Sequence, residues 1–141
     1  MKCCLRIALA LAGYGVLCSV SAPVAQAQKT QAVKLKSVVM CRKYNGDAVD
    51  ITTTFKPTDL KIHCVTKLNR VATVTARSVW IAVDAGGVKN YKIVEASLPK
   101  QLVDQLHFHA SLPNPWPVGK YRIDIYVNGK LLGSKAYTVA K

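Results

Sequence analysis

The side chains best able to do chemistry in this sequence are three histidines and two cysteines. His107 and His109 stand two residues apart, so on a strand both project from one face, as neighbouring metal ligands must. His63 falls on the outward face of another predicted strand. If those strands are neighbours, the three imidazoles suit zinc or copper(II), and the chain reads as a small-ligand or metal carrier. The bland alternative is three exposed histidines with no ligand, and no resident cofactor is expected. Cys3, Cys4 and Cys18 lie in the N-terminal 27 residues, which leaves Cys41 and Cys64. An even pair in an exported chain predicts one disulfide, which would close a loop of about two dozen residues and add roughly 3 kcal/mol in the chain-entropy picture.

A second kind of chemistry rests on charge. The chain carries 20 Lys and Arg against 7 Asp and Glu, a formal net charge of +13. Lys34, Lys36, Lys61 and Lys67 fall on outward positions of the first and third predicted strands. If the two strands share a sheet, these lysines form one positive face able to hold an anionic polymer by counterion release. Lipopolysaccharide, an acidic glycan and extracellular DNA are the partners such a face fits, and a dispersed, solvated surface is the alternative. Aromatic residues that would stack nucleobases are missing from these strands. Catalysis has little support. There is no nucleophile elbow, histidine–glutamate zinc motif, phosphate loop or Cys-x-x-Cys after residue 27, and Glu95 is the only glutamate. The expectation is a protein that is not an enzyme.

The residues that must position these groups begin after an address. Lys2 and Arg6, the apolar run Ile7–Val20 and the small-x-small triplet Ala25-Gln26-Ala27 predict a signal peptide over 1–27. Its removal takes Lys2 and Arg6 with it, so the mature charge falls from +13 to +11. No stable transmembrane span is expected in the mature protein, and the compartment is periplasmic or secreted. Residues 28–32 read as a flexible N-terminus and 33–141 as one domain.

Within that domain the period is two. Val33, Leu35, Val39 and Cys41 share one face of a first strand, and Asn45-Gly46 predicts a hairpin turn. Val49 to Phe55 alternates next. Leu60, Ile62, Cys64, Thr66 and Leu68 then line one face of a third strand, so Cys41 and Cys64 are both expected inward, on neighbouring strands. Asn69-Arg70 reads as a connection, followed by strands over Thr73–Val83 and Lys89–Ala96. Leu98, Leu102 and Leu106 leave 98–106 open between one helical turn and an irregular link. Leu106 to Leu112 alternates again. Pro113 to Pro117 makes a corner in which Trp116 is expected to cap the core, an exposed recognition anchor being the alternative. Tyr121 to Val127 and Leu131 to Val139 form a hairpin on Asn128-Gly129, with Gly133 as a bulge. Seven or eight short strands without a long helix predict an all-β fold, a two-layer antiparallel β-sandwich.

Three stretches carry a resemblance: Leu60-x-Ile-x-Cys64-x-Thr, Trp80 on the following strand, and Trp116-Pro-Val-Gly119-Lys-Tyr121 before the penultimate strand. The domain resembles the immunoglobulin-like and fibronectin type III-like modules of exported bacterial proteins. The resemblance is architectural and covers nearly all of 33–141. It implies that Tyr121 is a corner tyrosine whose hydroxyl returns to the backbone. An antibody-type domain has its second cysteine two residues later, where this chain has Ile123; that departure redirects the partner of Cys64 to Cys41. The resemblance implies a non-enzymatic binding or accessory module of the envelope. An alternative is an assembly factor that offers an edge strand to an envelope protein by β-strand augmentation.

Overall fold

The computed structural model describes residues 32–141; the predicted signal peptide and residues 28–31 of the predicted flexible N-terminus lie outside this range. Seven strands account for the fold: β1 (Leu35–Tyr44), β2 (Ala48–Ile51), β3 (Thr54–Phe55), β4 (Lys61–Ala85), β5 (Val88–Ser111), β6 (Gly119–Val127) and β7 (Lys130–Val139). All hydrogen-bond into one sheet, in the order β2-β1-β4-β6-β7-β3 with β5 on the other edge of β4, and the sheet curls into a half-barrel. The all-β class holds, whereas two separate layers are not what the hydrogen bonds form. Among the described residues no helix is long and apolar enough to cross a membrane.

The reason is β4. The sequence predicts a break at Asn69-Arg70, but the chain runs through it as one 25-residue strand. The break survives only as a register irregularity between Lys67 and Ala72 against β5. One edge of β4 pairs with β5 along nearly its whole length. The other pairs first with β1, through His63 to Leu68, and then with β6, through Ala76 to Ala85. A strand shared in this way joins what would otherwise be two sheets. The segment 98–106 is likewise strand, inside β5, and not a helical turn or an irregular link. Leucines four apart suit a helix of 3.6 residues per turn, but four is also a multiple of the strand period of two. β3 pairs with β7 in parallel, an exception to the antiparallel arrangement expected.

The turns follow local chemistry. Gly86-Gly87 and Asn128-Gly129 close two-residue hairpins with both φ angles positive, at 60° and 84° and at 52° and 82°. Those are the requirements of a type I′ turn, which matches the twist of the strands it joins. The predicted bulge near Gly133 appears as a register shift opposite Ile125 and Tyr126. Gly119 is required by close approach: a methyl there would overlap the carbonyl oxygen of Asp84 and stand 2.5 Å from Ala85 Cβ.

The concave face holds the core. Trp80, Trp116, Phe55, Ile62 and Ile123 are all at most 1% exposed, and Tyr121 and Tyr137 are each 2% exposed. Trp116 caps the core as expected and donates its indole N–H to the Leu60 carbonyl at 3.2 Å. Tyr121 behaves as a corner tyrosine, with Oη donating to the Pro117 carbonyl at 2.6 Å. Ile123 fills the core where an antibody-type domain has its cysteine.

Candidate functional site

The first half of β4, flanked by β1 and β5, presents the candidate residues on its convex face. Strand pairing fixes the rows. Cys41 of β1 stands opposite His63 of β4, which stands opposite His109 of β5. In the next row Val39, Val65 and His107 align, and then Ser37, Lys67 and Gln105. Directly opposed residues in a sheet share a face, so the three histidines are brought together as the sequence reading required.

Their rings form a compact group. Nδ1 of His63 and Nε2 of His107 are hydrogen-bonded at 2.9 Å, and their ring centroids are 5.2 Å apart. His109 lies 5.9 Å from His63 and 5.8 Å from His107, centroid to centroid. A hydrogen bond between two imidazole nitrogens needs one protonated and one bare nitrogen, so in this geometry both rings cannot be cationic. The two nitrogens face one another across that hydrogen bond. Among the described residues no group of three or more His, Cys, Asp or Glu side chains is arranged to hold a metal ion.

Electrostatics around the cluster is positive. Burial holds His107 down to about 4, and the nearby charges of His63, His109 and Lys61 push the same way. His63 is also lowered, by burial first and then by His109 and Lys61. No carboxylate contributes to either shift.

The structure adds a residue that sequence reasoning missed. Tyr44, at the end of β1, stacks on His107 with ring centroids 3.7 Å apart and a 7° tilt. Gln105 Nε2 donates to the Gly46 carbonyl at 3.1 Å, and Lys67 pairs with Asp47 at 3.6 Å. The β1–β2 hairpin thus folds back over the convex face. Asn45-Gly46 signalled the turn, but nothing local signalled where its tip would land.

Of the four lysines, Lys36 and Lys67 line one cleft, with Asp104 and Gln105. Lys34 is exposed and immediately precedes β1, where its backbone N–H donates to Asn69 Oδ1 at 2.9 Å. Lys61 sits six residues from Lys67, about 20 Å along the strand, beyond the histidines. Five of the seven acidic side chains are already engaged in ion pairs: Asp47, Asp50, Asp59, Glu95 and Asp124. Among the described residues Lys34, Lys36 and Lys61 make no ion pair.

The predicted disulfide does not form; Cys41 and Cys64 are both free and buried. The cause is a bulge. A register shift between Leu35 and Ser37 reverses the alternation of β1, so Leu35 faces the core and so do Val38 and Met40. Met40, not Cys41, then stands opposite Cys64. The two thiols project to opposite faces, and a disulfide needs Cβ vectors that converge. Burial pushes the Cys64 thiol up to about 12 and also raises Cys41, so neither is poised as a nucleophile.

The sequence matches no protein-family model and no curated protein. Solved structures do resemble the fold. An immunoglobulin-like protein from Pseudomonas aeruginosa aligns over 78% of this chain and 98% of its own, at 13% identity and a TM-score of 0.50. An alkylpurine DNA glycosylase from Pseudomonas fluorescens, solved bound to DNA containing an abasic site analog, aligns over 77% of this chain at 14% identity and a TM-score of 0.51. The match spans only 30% of the glycosylase. At such identities the likeness concerns the fold alone, and that fold is immunoglobulin-like and β-rich.

Proposed function

We propose that this chain is an exported, non-enzymatic binding module of the bacterial envelope, built as an immunoglobulin-like β-sandwich relative, that holds an anionic polymer on the convex face of β1, β4 and β5. The observation that carries this reading is the excess of lysine over acid on that face: Lys67 pairs with Asp47 and Asp104 lines the cleft beside it, while Lys34, Lys36 and Lys61 make no ion pair among the described residues. Lys36 and Lys67 line one cleft, Lys34 lies just before β1, and Lys61 stands at the other end, beyond the uncharged His107. Their distribution over about 20 Å suits a repeating polyanion better than a single small ion. An acidic glycan, lipopolysaccharide or extracellular DNA has the required repeat of charge. The positive surroundings of the histidines work against a metal cation, although calorimetry with zinc and copper on tag-free protein remains the direct check of that alternative.

Heparin retention as a function of salt tests the proposal. Changing Lys34, Lys36, Lys61 and Lys67 together to Gln is expected to reduce the salt dependence of binding by about one unit of slope for each lysine that contacts the polymer. The control changes Lys100, Lys120, Lys130 and Lys141, four exposed lysines elsewhere. Equal losses from both sets would reduce the effect to net charge and defeat the proposal.

A further inference from the structure

β5 is an edge strand. Among the described residues it pairs with β4 alone, so one side of a 24-residue strand has no ladder partner. Exposed edges invite pairing with other chains, and natural proteins blunt them with lysines, prolines and bulges. β5 is blunted over most of its length. Lys89, Lys92 and Lys100 are exposed along it, Asn90 has a φ of 50°, and Ile93 is an extra residue where the register shifts opposite Trp80 and Ile81. Pro99 lies at the shift between Val74 and Ala76, where a missing N–H is tolerated on an edge.

These devices stop at Asp104. From Gln105 to Ser111 seven consecutive residues keep one register against Lys67 to Lys61, with no proline, lysine or bulge. Seven residues match the length of an ordinary strand. The side chains flanking this edge on the convex face are Gln105, His107 and His109, next to Lys61. On the concave face Leu106, Phe108 and Ala110 are all at most 3% exposed.

We propose that the free edge of β5 from Gln105 to Ser111 accepts an extended, acidic segment of a partner protein as an added strand. The backbone ladder would supply affinity, as in other strand-addition complexes. Charge would set the preference: a strand laid here places alternate side chains beside His109 and Lys61, at the end of the edge away from Asp47 and Asp104. Two copies of this strongly basic chain would bring like charges together, which favours an acidic partner over self-pairing. This surface shares Lys61 and the histidines with the proposed polyanion face but rests on the backbone ladder of β5, so a charge-only probe separates the two.

Amide hydrogen exchange on residues 105–111 of the full chain tests the proposal, using three blocked seven-residue peptides as probes. The alternating Val/Glu peptide is expected to slow exchange at alternate amides of this stretch and to leave Val94–Leu98 unchanged. A Pro/Glu peptide carries the same charge without the donors a ladder needs, and should have no effect. A Val/Lys peptide should bind more weakly than Val/Glu. His109 is exposed, so His109→Glu should fold, and it is expected to weaken the Val/Glu peptide about two- to fivefold. Equal protection by the Pro/Glu peptide would reduce the effect to charge and overturn the proposal. Slow exchange at these amides in the protein alone would also overturn it, because the edge would already be covered. A concentration-dependent dimer protecting the same amides would overturn it in favour of a second copy.

Discussion

Tyr121 and Tyr137 offer one chemical change made in two opposite circumstances. Their rings stack at 5.2 Å with a 14° tilt, and Tyr137 also meets Phe55, Trp80 and Trp116 edge-on. Tyr121 Oη donates to the Pro117 carbonyl at 2.6 Å. Tyr137 Oη is buried and among the described residues has no hydrogen-bond partner. Burial raises the pKa of both phenols, so both hydroxyls stay protonated at any working pH. Replacing either tyrosine by phenylalanine keeps the ring contacts and removes only the oxygen. Tyr121→Phe loses a made hydrogen bond and leaves a partly buried carbonyl unsatisfied, a cost of about 1–2 kcal/mol. Tyr137→Phe removes a desolvated oxygen that receives nothing in return, and is expected to stabilise by about 1–2 kcal/mol. For a domain of this size each kcal/mol moves Tm by about 4 °C. Urea unfolding followed by Trp80 and Trp116 fluorescence reads both variants, with an unchanged m-value required for the comparison. The same sign for the two changes, or a loss of about 1 kcal/mol or more in Tyr137→Phe, would refute the reasoning by showing that the hydroxyl has a partner.

The other expectations concern thiols and protons. Protein prepared without residues 1–27 should not react with a thiol reagent when native, whereas unfolding it without reductant should expose two thiols, Cys41 and Cys64; no thiols after unfolding would mean that a disulfide forms and that the bulge at Leu35–Ser37 is wrongly placed. Stability should fall as pH drops from about 6.5 toward about 4, because the unfolded chain protonates His107 near its ordinary value while burial in the folded state resists until about 4. The unfolded state therefore binds more protons across that window, and the full contribution is present only above it. His107→Gln should flatten the urea midpoint between pH 7 and pH 4.5, and an unchanged slope in that variant would assign the acid sensitivity elsewhere.

Much of the fold was legible because strand period and turn chemistry are local. The alternation of Tyr121 to Val127, the Asn-Gly turn after it and the capping role of Trp116 all needed only neighbours in sequence. The histidine group was half legible: spacing put His107 and His109 on one face, and outward placement nominated His63. Its company was not legible. Tyr44 reaches His107 because the β1–β2 hairpin folds back across β4 to β5, and that is a long-range event. The disulfide was misread because one inserted residue, near Ser37, reverses every later side chain on β1. No composition or spacing rule registers such an insertion until its partner strand is known. β4 and β5 were misread as pairs of shorter strands for a related reason. Asn69-Arg70 reads as a connection and 98–106 as a helical turn or irregular link in isolation, but pairing with a neighbouring strand absorbs both, with register irregularities nearby.

The amino-acid sequence by itself determined that this chain is all-β and strongly basic, with a core of alternating apolar residues closed by a tryptophan and a corner tyrosine. These follow from side-chain type, period and turn propensity, which act over a few residues. Only the tertiary structure decided that the strands join in one half-barrel sheet, that Cys41 and Cys64 face apart, and that His63, His107 and His109 meet beside Lys61. It alone left the seven residues from Gln105 to Ser111 as an unprotected edge. Register between distant strands decides each of these, and register is a property of pairs of segments that neither segment carries alone.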